Sequence, residues 1–181
     1  MFEEKRVPDR QVRAAQTETT VRVYQTCSPS VADAAKERFK PPFERDGATW
    51  IVPSFRLAAY ESGNGSKLGQ ERVLAIDLTR DGFEQALSPS TGGPARIEWE
   101  AERDLDHTPL NFAAIRIGLS SEAAGHYVDE WITAITDVTP VVRDIAGLLA
   151  TDQLHKAVKL VPHEPPYPLG ADLAKVIGAT P

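Results

Sequence analysis

The chain has 181 residues, of which 41 % are hydrophobic and 25 % are charged, and its formal net charge at pH 7 is −6. These values are typical of one soluble globular domain, and they exclude a globally disordered chain and a nonspecific nucleic-acid binder, which needs a basic surface. No apolar run reaches the roughly 18 residues of a membrane span, and no secretory signal is visible, so we expect a cytoplasmic protein without a membrane partner.

The first part of the chain predicts an arm, a strand, a helix and a second strand. Residues 1–19 are polar and lack an apolar period, so we expect a flexible N-terminal arm. TVRVYQT then alternates Val21 and Val23 with polar side chains, which is the period of a half-buried strand. Ser28 and Pro29 begin a helix over the next segment, and ATWIV predicts the second strand.

The middle of the chain predicts three more strands. Ser54 starts a short helix that Gly63 ends, and a polar loop, GNGSKLG, follows. RVLAIDL is the most apolar strand, and TRDGFEQAL turns into a helix after it. RIEWE and AAIRIGL predict the fourth and fifth strands.

The last part predicts two consecutive helices and a tail. SSEAAGHYVDEWITAI is expected to form one amphipathic helix, with an apolar stripe that ends at Ile135, and Thr139 begins the next helix. Residues 20–150 form one domain in this interpretation, and residues 151–181 form a proline-rich C-terminal tail on its surface. Because no regular βαβα alternation is present, we expect an α+β fold with a small mixed or antiparallel sheet of about five strands and flanking short helices.

Polar residues on the first two strands are candidates for ligand binding. Arg22 and Tyr24 project to the face opposite Val21 and Val23, and an arginine fixed on a strand can donate two parallel hydrogen bonds to a phosphate or carboxylate. The alternative is a solvent-facing arginine that protects an edge strand. Ser54 could likewise contact a bound group or only cap its helix.

The stretch before RVLAIDL is the next candidate. Glu71 opens this strand, so its carboxylate is expected at the rim of the sheet, between Gln70 and Arg72. A carboxylate there could accept hydrogen bonds from a sugar hydroxyl or stabilise a positive transition state. The alternative is an ion pair with Arg72 or Lys67, which contributes little at an exposed site.

Cysteine and histidine give weaker signals. Cys27 precedes a helix N-terminus, where it could be a nucleophile in a metabolic enzyme, but a buried structural cysteine is the alternative. A single cysteine excludes an internal disulfide. The four histidines lack the spacing of a zinc-binding helix, so no metal is expected; they are His107, His126, His155 and His163.

Several of these stretches resemble known families. TVRVYQTCSPSVADAA, PPFERDGATWIVPSF, GQERVLAIDL and HYVDEWITAITDVTPVVR together resemble the domain of unknown function family 4291, over roughly residues 20–145. A more distant resemblance is to the ADP-ribosyltransferase superfamily. Those enzymes place an arginine or histidine on a first strand, a serine or tyrosine after a second, and often a glutamate near a later strand. Arg22, Ser54 and Glu71 occur in that order.

The second resemblance implies an ADP-ribosyltransferase-like fold and an enzyme that uses NAD as its substrate. It implies that Arg22 grips the pyrophosphate and that Ser54 and Tyr60 orient the nicotinamide ribose and ring. It also implies that Glu71 stabilises the oxocarbenium-like centre or holds the ribose 2′-hydroxyl. The acceptor would be a nucleic-acid end or a small molecule. The further ligand-binding residues expected in this reading are Tyr24, Gln25, Trp50, Tyr60, Gln70 and Arg72.

The competing hypothesis is a non-catalytic module that binds a nucleotide or a partner protein at the same rim. A small-molecule or nucleotide ligand is compatible with either hypothesis. Nucleic acid is expected only as a local contact, because the small excess of basic residues is confined to the first 60 residues.

Overall fold

The structure is a computed structural model that describes residues 7–37, 43, 49–88 and 94–181. Its strands are β1 (Thr20–Cys27), β2 (Trp50–Ile51), β3 (Arg72–Thr79), β4 (Pro94–Arg103), β5 (Pro109–Leu119) and β6 (Ile132–Asp137). Its helices are α1 (Pro29–Glu37), α2 (Phe55–Glu61), α3 (Arg80–Leu87), α4 (Ser121–His126), α5 (Thr139–Ala150), α6 (Leu154–Leu160) and α7 (Ala171–Ile177). The mixture confirms the predicted α+β class.

The strands form two antiparallel sheets of three strands each, with the orders β1-β3-β6 and β2-β5-β4. The apolar run of β3 explains its central position, because its residues Val73, Leu74, Ala75, Ile76 and Leu78 are all buried. The shorter strand β2 pairs with β5 only through Trp50 and Ile51. The predicted single sheet is therefore divided into two small sheets.

One residue pair joins the two sheets. The Tyr24 N–H in β1 donates to the Val52 carbonyl at 2.7 Å, just after β2, and the Val52 N–H donates to the Tyr24 carbonyl at 3.0 Å. If this antiparallel ladder continued, Thr26 would come opposite Trp50, but Trp50 instead pairs with Gly118 in β5. The two strands therefore separate directly after Tyr24 and leave a space between them.

The segment predicted as one long helix from SSEAAGHYVDEWITAI is only partly helical. Helix α4 continues into a π-helical turn, Tyr127–Trp131, and the chain then forms β6, which pairs with β3. The predicted helix was wrong from Ile132 onward. The β-branched residues of ITAIT favour an extended backbone, and the free edge of β3 supplies its hydrogen bonds.

The two terminal segments lie against each other and against the second sheet. The sequence predicts a flexible arm over residues 1–19, whereas the structure buries Val12 and Ala14. The Ala14 N–H donates to the Pro165 carbonyl at 3.1 Å, and the Tyr167 N–H donates to the Val12 carbonyl at 2.9 Å. The buried Tyr167 ties the C-terminal segment to the core. Residues 1–6 lie outside the described residues.

None of the helices in the described part of the chain has the length and apolar character of a membrane span.

Candidate functional site

A cleft of about 860 Å³ lies at the point where β1 and β2 separate. One wall is the end of β1 and the loop of residues 63–70, and the other wall comes from β2, the end of α2, β4 and β5. The cleft volume lies within the ordinary range of small-molecule binding sites. We call this space the interstrand cleft.

The backbone of Thr26 faces the interstrand cleft. Alternate residues of a strand direct their peptide groups to the same side, so Thr26 follows Tyr24, whose peptide groups bond to Val52. Val73, which lies opposite Thr26, donates its N–H to Thr139 Oγ1 at 2.8 Å and therefore does not pair with Thr26. Outside the β1 and β3 pair, no described residue forms a backbone hydrogen bond with the Thr26 N–H or C=O. The cleft thus presents one donor and one acceptor on an open strand edge.

The opposite wall is built around Arg116 of β5. Its guanidinium Nε lies 2.6 Å from Glu61 Oε1, and one terminal nitrogen lies 2.9 Å from Glu98 Oε2 and 3.6 Å from Glu100 Oε1. The guanidinium also lies 4.3 Å from the ring centroid of Trp50. Arg96 Nε also lies 2.9 Å from Glu98 Oε1, so three carboxylates face two cations and the group keeps one excess negative charge. Glu98 does not line the cleft, and we call the four residues that do the acidic wall: Trp50, Glu61, Glu100 and Arg116.

The pairing of β4 with β5 accounts for the acidic wall. Glu98 and Glu100 are two residues apart on β4, so they share a face, and Glu98 comes directly opposite Arg116. Gly118 provides room for Trp50 beside Arg116, because an added Cβ would lie 3.0 Å from the indole ring. Glu61, the last residue of α2, completes the group.

Glu61 has an altered affinity for protons. Burial raises the pKa of Glu61, while the neighbouring Arg116 opposes the increase. The group lines the interstrand cleft together with Glu100. A cleft carboxylate with a raised pKa is a candidate for accepting or donating a proton.

Five of the predicted ligand-binding residues line the interstrand cleft: Tyr24, Gln25, Trp50, Tyr60 and Gln70. Arg72 does not line it and instead lies 3.7 Å from Asp137 of β6.

The structure does not bring Arg22, Ser54 and Glu71 together in the cleft. The Arg22 guanidinium donates two hydrogen bonds to the Asp77 carboxylate across the β1 and β3 pair, from Nε at 2.8 Å and from a terminal nitrogen at 3.0 Å. Ser54 caps α2, since its Oγ accepts from the Leu57 N–H at 3.0 Å, and it donates to Glu102 at 2.9 Å.

Glu71 also has a local structural contact. Its carboxylate accepts a hydrogen bond from the Gly69 N–H at 2.8 Å. This contact holds the end of the loop before β3, and Glu71 is not among the residues that line the interstrand cleft.

Cys27 and the histidines form no reactive centre in the described ranges. Burial raises the pKa of the Cys27 thiol to about 12, so the thiolate is scarce at neutral pH. Within those ranges no group of three or more histidine, cysteine, aspartate or glutamate side chains has an arrangement that could hold a metal ion. These observations favour the structural interpretation of Cys27.

The sequence interpretation missed Glu61, Glu100, Arg116 and Lys67, which all line the cleft. The alternation in RIEWEAE is a signal that could have placed Glu98 and Glu100 on one face of a strand. It could not indicate which strand lay beside them, because the partner is fixed only when β4 and β5 pair.

A comparison with curated proteins found no match. A comparison with protein families found one family model, described as Domain of unknown function (DUF4291), that matches residues 11–92 and 90–167. The two matched segments include both walls of the interstrand cleft and most of the chain. The chain therefore belongs to the family described as Domain of unknown function (DUF4291).

Proposed function

We propose that the protein is an ADP-ribosyltransferase-like enzyme that uses NAD as its substrate in the interstrand cleft. The observation that carries this proposal is that the cleft places the open edge of β1 opposite the carboxylates of Glu61 and Glu100. One side can hold an amide, and the other can stabilise a positive charge.

The Thr26 edge is complementary to the carboxamide of nicotinamide. A primary carboxamide carries one carbonyl acceptor and an NH₂ donor, and it can pair with a backbone N–H and C=O as a neighbouring strand does. The open position beside Thr26 is therefore a suitable place for the nicotinamide end of NAD.

The acidic wall suits the charge that develops during transfer of ADP-ribose. The bond between the nicotinamide nitrogen and ribose C1′ breaks, neutral nicotinamide leaves with the electron pair, and positive charge develops on the ribose. Glu100 is the carboxylate assigned to stabilise that charge, because its contact with Arg116 is the longest, at 3.6 Å. The acceptor then bonds to C1′, and Glu61 takes the proton that it releases.

This assignment differs from the one that the resemblance implied. Arg22, Ser54 and Glu71 are given structural roles, since each has a local partner and none lines the interstrand cleft. Glu61 and Glu100 take the place of Glu71 as the carboxylates that act on the ligand.

The test is release of nicotinamide from NAD by the purified protein, measured by chromatography with and without added acceptors. We expect Glu61→Gln and Glu100→Gln each to reduce the rate by about 100-fold. Glu98→Gln is the matched control, because Glu98 contacts the same arginine but does not line the cleft. An equal loss in all three variants would indicate a structural effect, and no release by the unmodified protein with any acceptor would refute the enzyme.

The pH dependence gives a second readout. Burial raises the pKa of Glu61. As the pH is lowered, a rate that needs ionised Glu61 should therefore begin to fall at a higher pH than it would with an ordinary glutamate. This lower limb of the pH profile should disappear in Glu61→Gln.

A non-catalytic binding module is the second candidate. Arg116 favours it, because this arginine lies within ion-pair distance of both cleft carboxylates. These ion pairs could fix Glu61 and Glu100 in place without either carboxylate acting in catalysis. Calorimetric titration with NAD, ADP-ribose and other nucleotides separates the two functions. Binding of NAD without release of nicotinamide would favour the module.

A further inference from the structure

Two glutamines of the interstrand cleft are held by internal hydroxyl groups. Tyr127 donates its O–H to Gln25 Oε1 at 2.7 Å, and Thr26 donates its O–H to Gln70 Oε1 at 3.1 Å. Both glutamines line the cleft wall that belongs to β1 and the loop. In each case the amide oxygen already has a partner inside the protein.

Tyr127 is well fixed for this task. It is fully buried, its ring stacks on Phe43 with the centroids 5.9 Å apart, and it lies at the start of the π-helical turn. Its O–H reaches the Gln25 side chain, which comes from β1. The observed orientation of Gln25 gives the buried hydroxyl an acceptor. With the amide turned over, the Tyr127 oxygen would have to accept from the NH₂, and its O–H proton would lose this acceptor.

Gln70 is held at both its side chain and its backbone. Its side-chain oxygen accepts from Thr26, and its backbone N–H donates to the Lys67 carbonyl at 2.9 Å. Among the described residues, neither the Gln25 nor the Gln70 amide nitrogen donates a hydrogen bond. Each NH₂ is available to a ligand.

The two walls of the cleft consequently have opposite hydrogen-bonding character. The β1 and loop wall offers the NH₂ groups of Gln25 and Gln70 together with the exposed ammonium of Lys67. The carboxylates that line the cleft, Glu61 and Glu100, belong to the other wall. The NH₂ groups of Gln25 and Gln70 and the ammonium of Lys67 are suited to the oxygens of a phosphate group, which are acceptors only.

We propose that Gln25, Gln70 and Lys67 form a donor subsite for the phosphate groups of a nucleotide, and that Tyr127 and Thr26 are positioning residues that set the two amides as donors. The subsite rests on the proposed function for its choice of ligand, but it requires binding alone and no turnover.

The sharpest test replaces each glutamine with glutamate, which has the same shape but offers only acceptors. Tyr127 and Thr26 can still donate to the new carboxylates, so Gln25→Glu and Gln70→Glu should fold normally. Calorimetry with ADP-ribose, inorganic pyrophosphate and nicotinamide measures the effect. We expect each variant to bind the two phosphate-bearing probes at least about tenfold more weakly, and nicotinamide with little change.

Two further variants serve as comparisons. Tyr127→Phe keeps the stacked ring but releases the Gln25 amide, so it should weaken ADP-ribose binding by a smaller factor than Gln25→Glu and leave nicotinamide binding unaltered. Gln153→Glu adds the same charge outside the cleft and should bind every probe as the unmodified protein does. Thermal unfolding of each variant confirms that the fold is kept.

Wild-type affinity for ADP-ribose in both glutamate variants would overturn the donor subsite, as would failure of the unmodified protein to bind any phosphate-bearing probe. An equal loss of nicotinamide binding would also overturn it. If ADP-ribose binding follows the expected pattern while NAD is never cleaved, the proposed enzyme fails and the subsite stands.

Discussion

Glu164, in the C-terminal segment, allows a direct test of the link between the tail and the core. Its carboxylate accepts a hydrogen bond from the Phe55 N–H at the start of α2, at 2.8 Å. Burial raises the pKa of Glu164 from 4.5 to about 8, and the nearby carboxylate of Glu102 adds to the increase. The folded protein therefore holds this group as a neutral acid at neutral pH.

The sign and size of the effect follow from proton linkage. Between pH 4.5 and 8 the unfolded chain has lost the Glu164 proton and the folded chain has kept it. The free energy of unfolding therefore falls by about 1.4 kcal/mol per pH unit in this window. Glu164→Gln stays neutral in both states and keeps an oxygen for the Phe55 N–H. At pH 7 the variant should be about 3 kcal/mol more stable than the unmodified protein, with the two similar near pH 4.

The measurement is chemical denaturation of both proteins at several pH values from 4 to 8.5. Glu18→Gln is the control, because Glu18 is an exposed residue with no ion pair among the described residues, so its replacement should not alter the pH slope. If the free energy of unfolding falls with pH equally in Glu164→Gln and in the unmodified protein, the folded protein does not hold Glu164 as a neutral acid.

Three other predictions concern the core and the cleft. Thr139→Val removes the hydroxyl that accepts from the buried Val73 N–H, and denaturation should show a loss of about 1 to 3 kcal/mol; no loss would mean that water replaces it. Cys27, with its pKa raised to about 12 by burial, should resist iodoacetamide at pH 7.5 until the protein is unfolded, and rapid alkylation of the folded protein would contradict its burial. Gly118→Ala should push the Trp50 ring away from Arg116 and change the tryptophan fluorescence, whereas an unchanged spectrum would show that the ring has room to spare.

Local patterns in the sequence were sufficient for most of the elements. The alternation at Val21 and Val23 correctly predicted β1, and Ser54 begins α2 as a helix-capping serine should. The segment from Ile132 was assigned to a helix because its apolar residues continue the stripe of α4. Only the neighbouring edge of β3 makes an extended backbone the better choice there, and no local pattern contains that information.

The site was harder to predict because its residues meet only through pairing of distant strands. Arg22 is suited to bind an anion, but the register of β1 and β3 places Asp77 opposite it and occupies its fork. The sequence around Arg116 gives no local sign of a binding site, because its neighbours in the chain are apolar. Its carboxylate partners come from α2 and β4, and these become neighbours only in the folded chain.

The separation of β1 from β2 has a consequence for how the protein avoids misassembly. An unpaired strand edge on an outer surface can recruit a strand from another molecule. Here the open edge at Thr26 lies at the bottom of a recess whose opposite side is Trp50 and Arg116, with a volume of about 860 Å³. A compact molecule fits into such a space, but an extended polypeptide would have to pass between both walls. The wall formed by Trp50 and Arg116 therefore restricts the space in which a strand from another molecule could pair with Thr26.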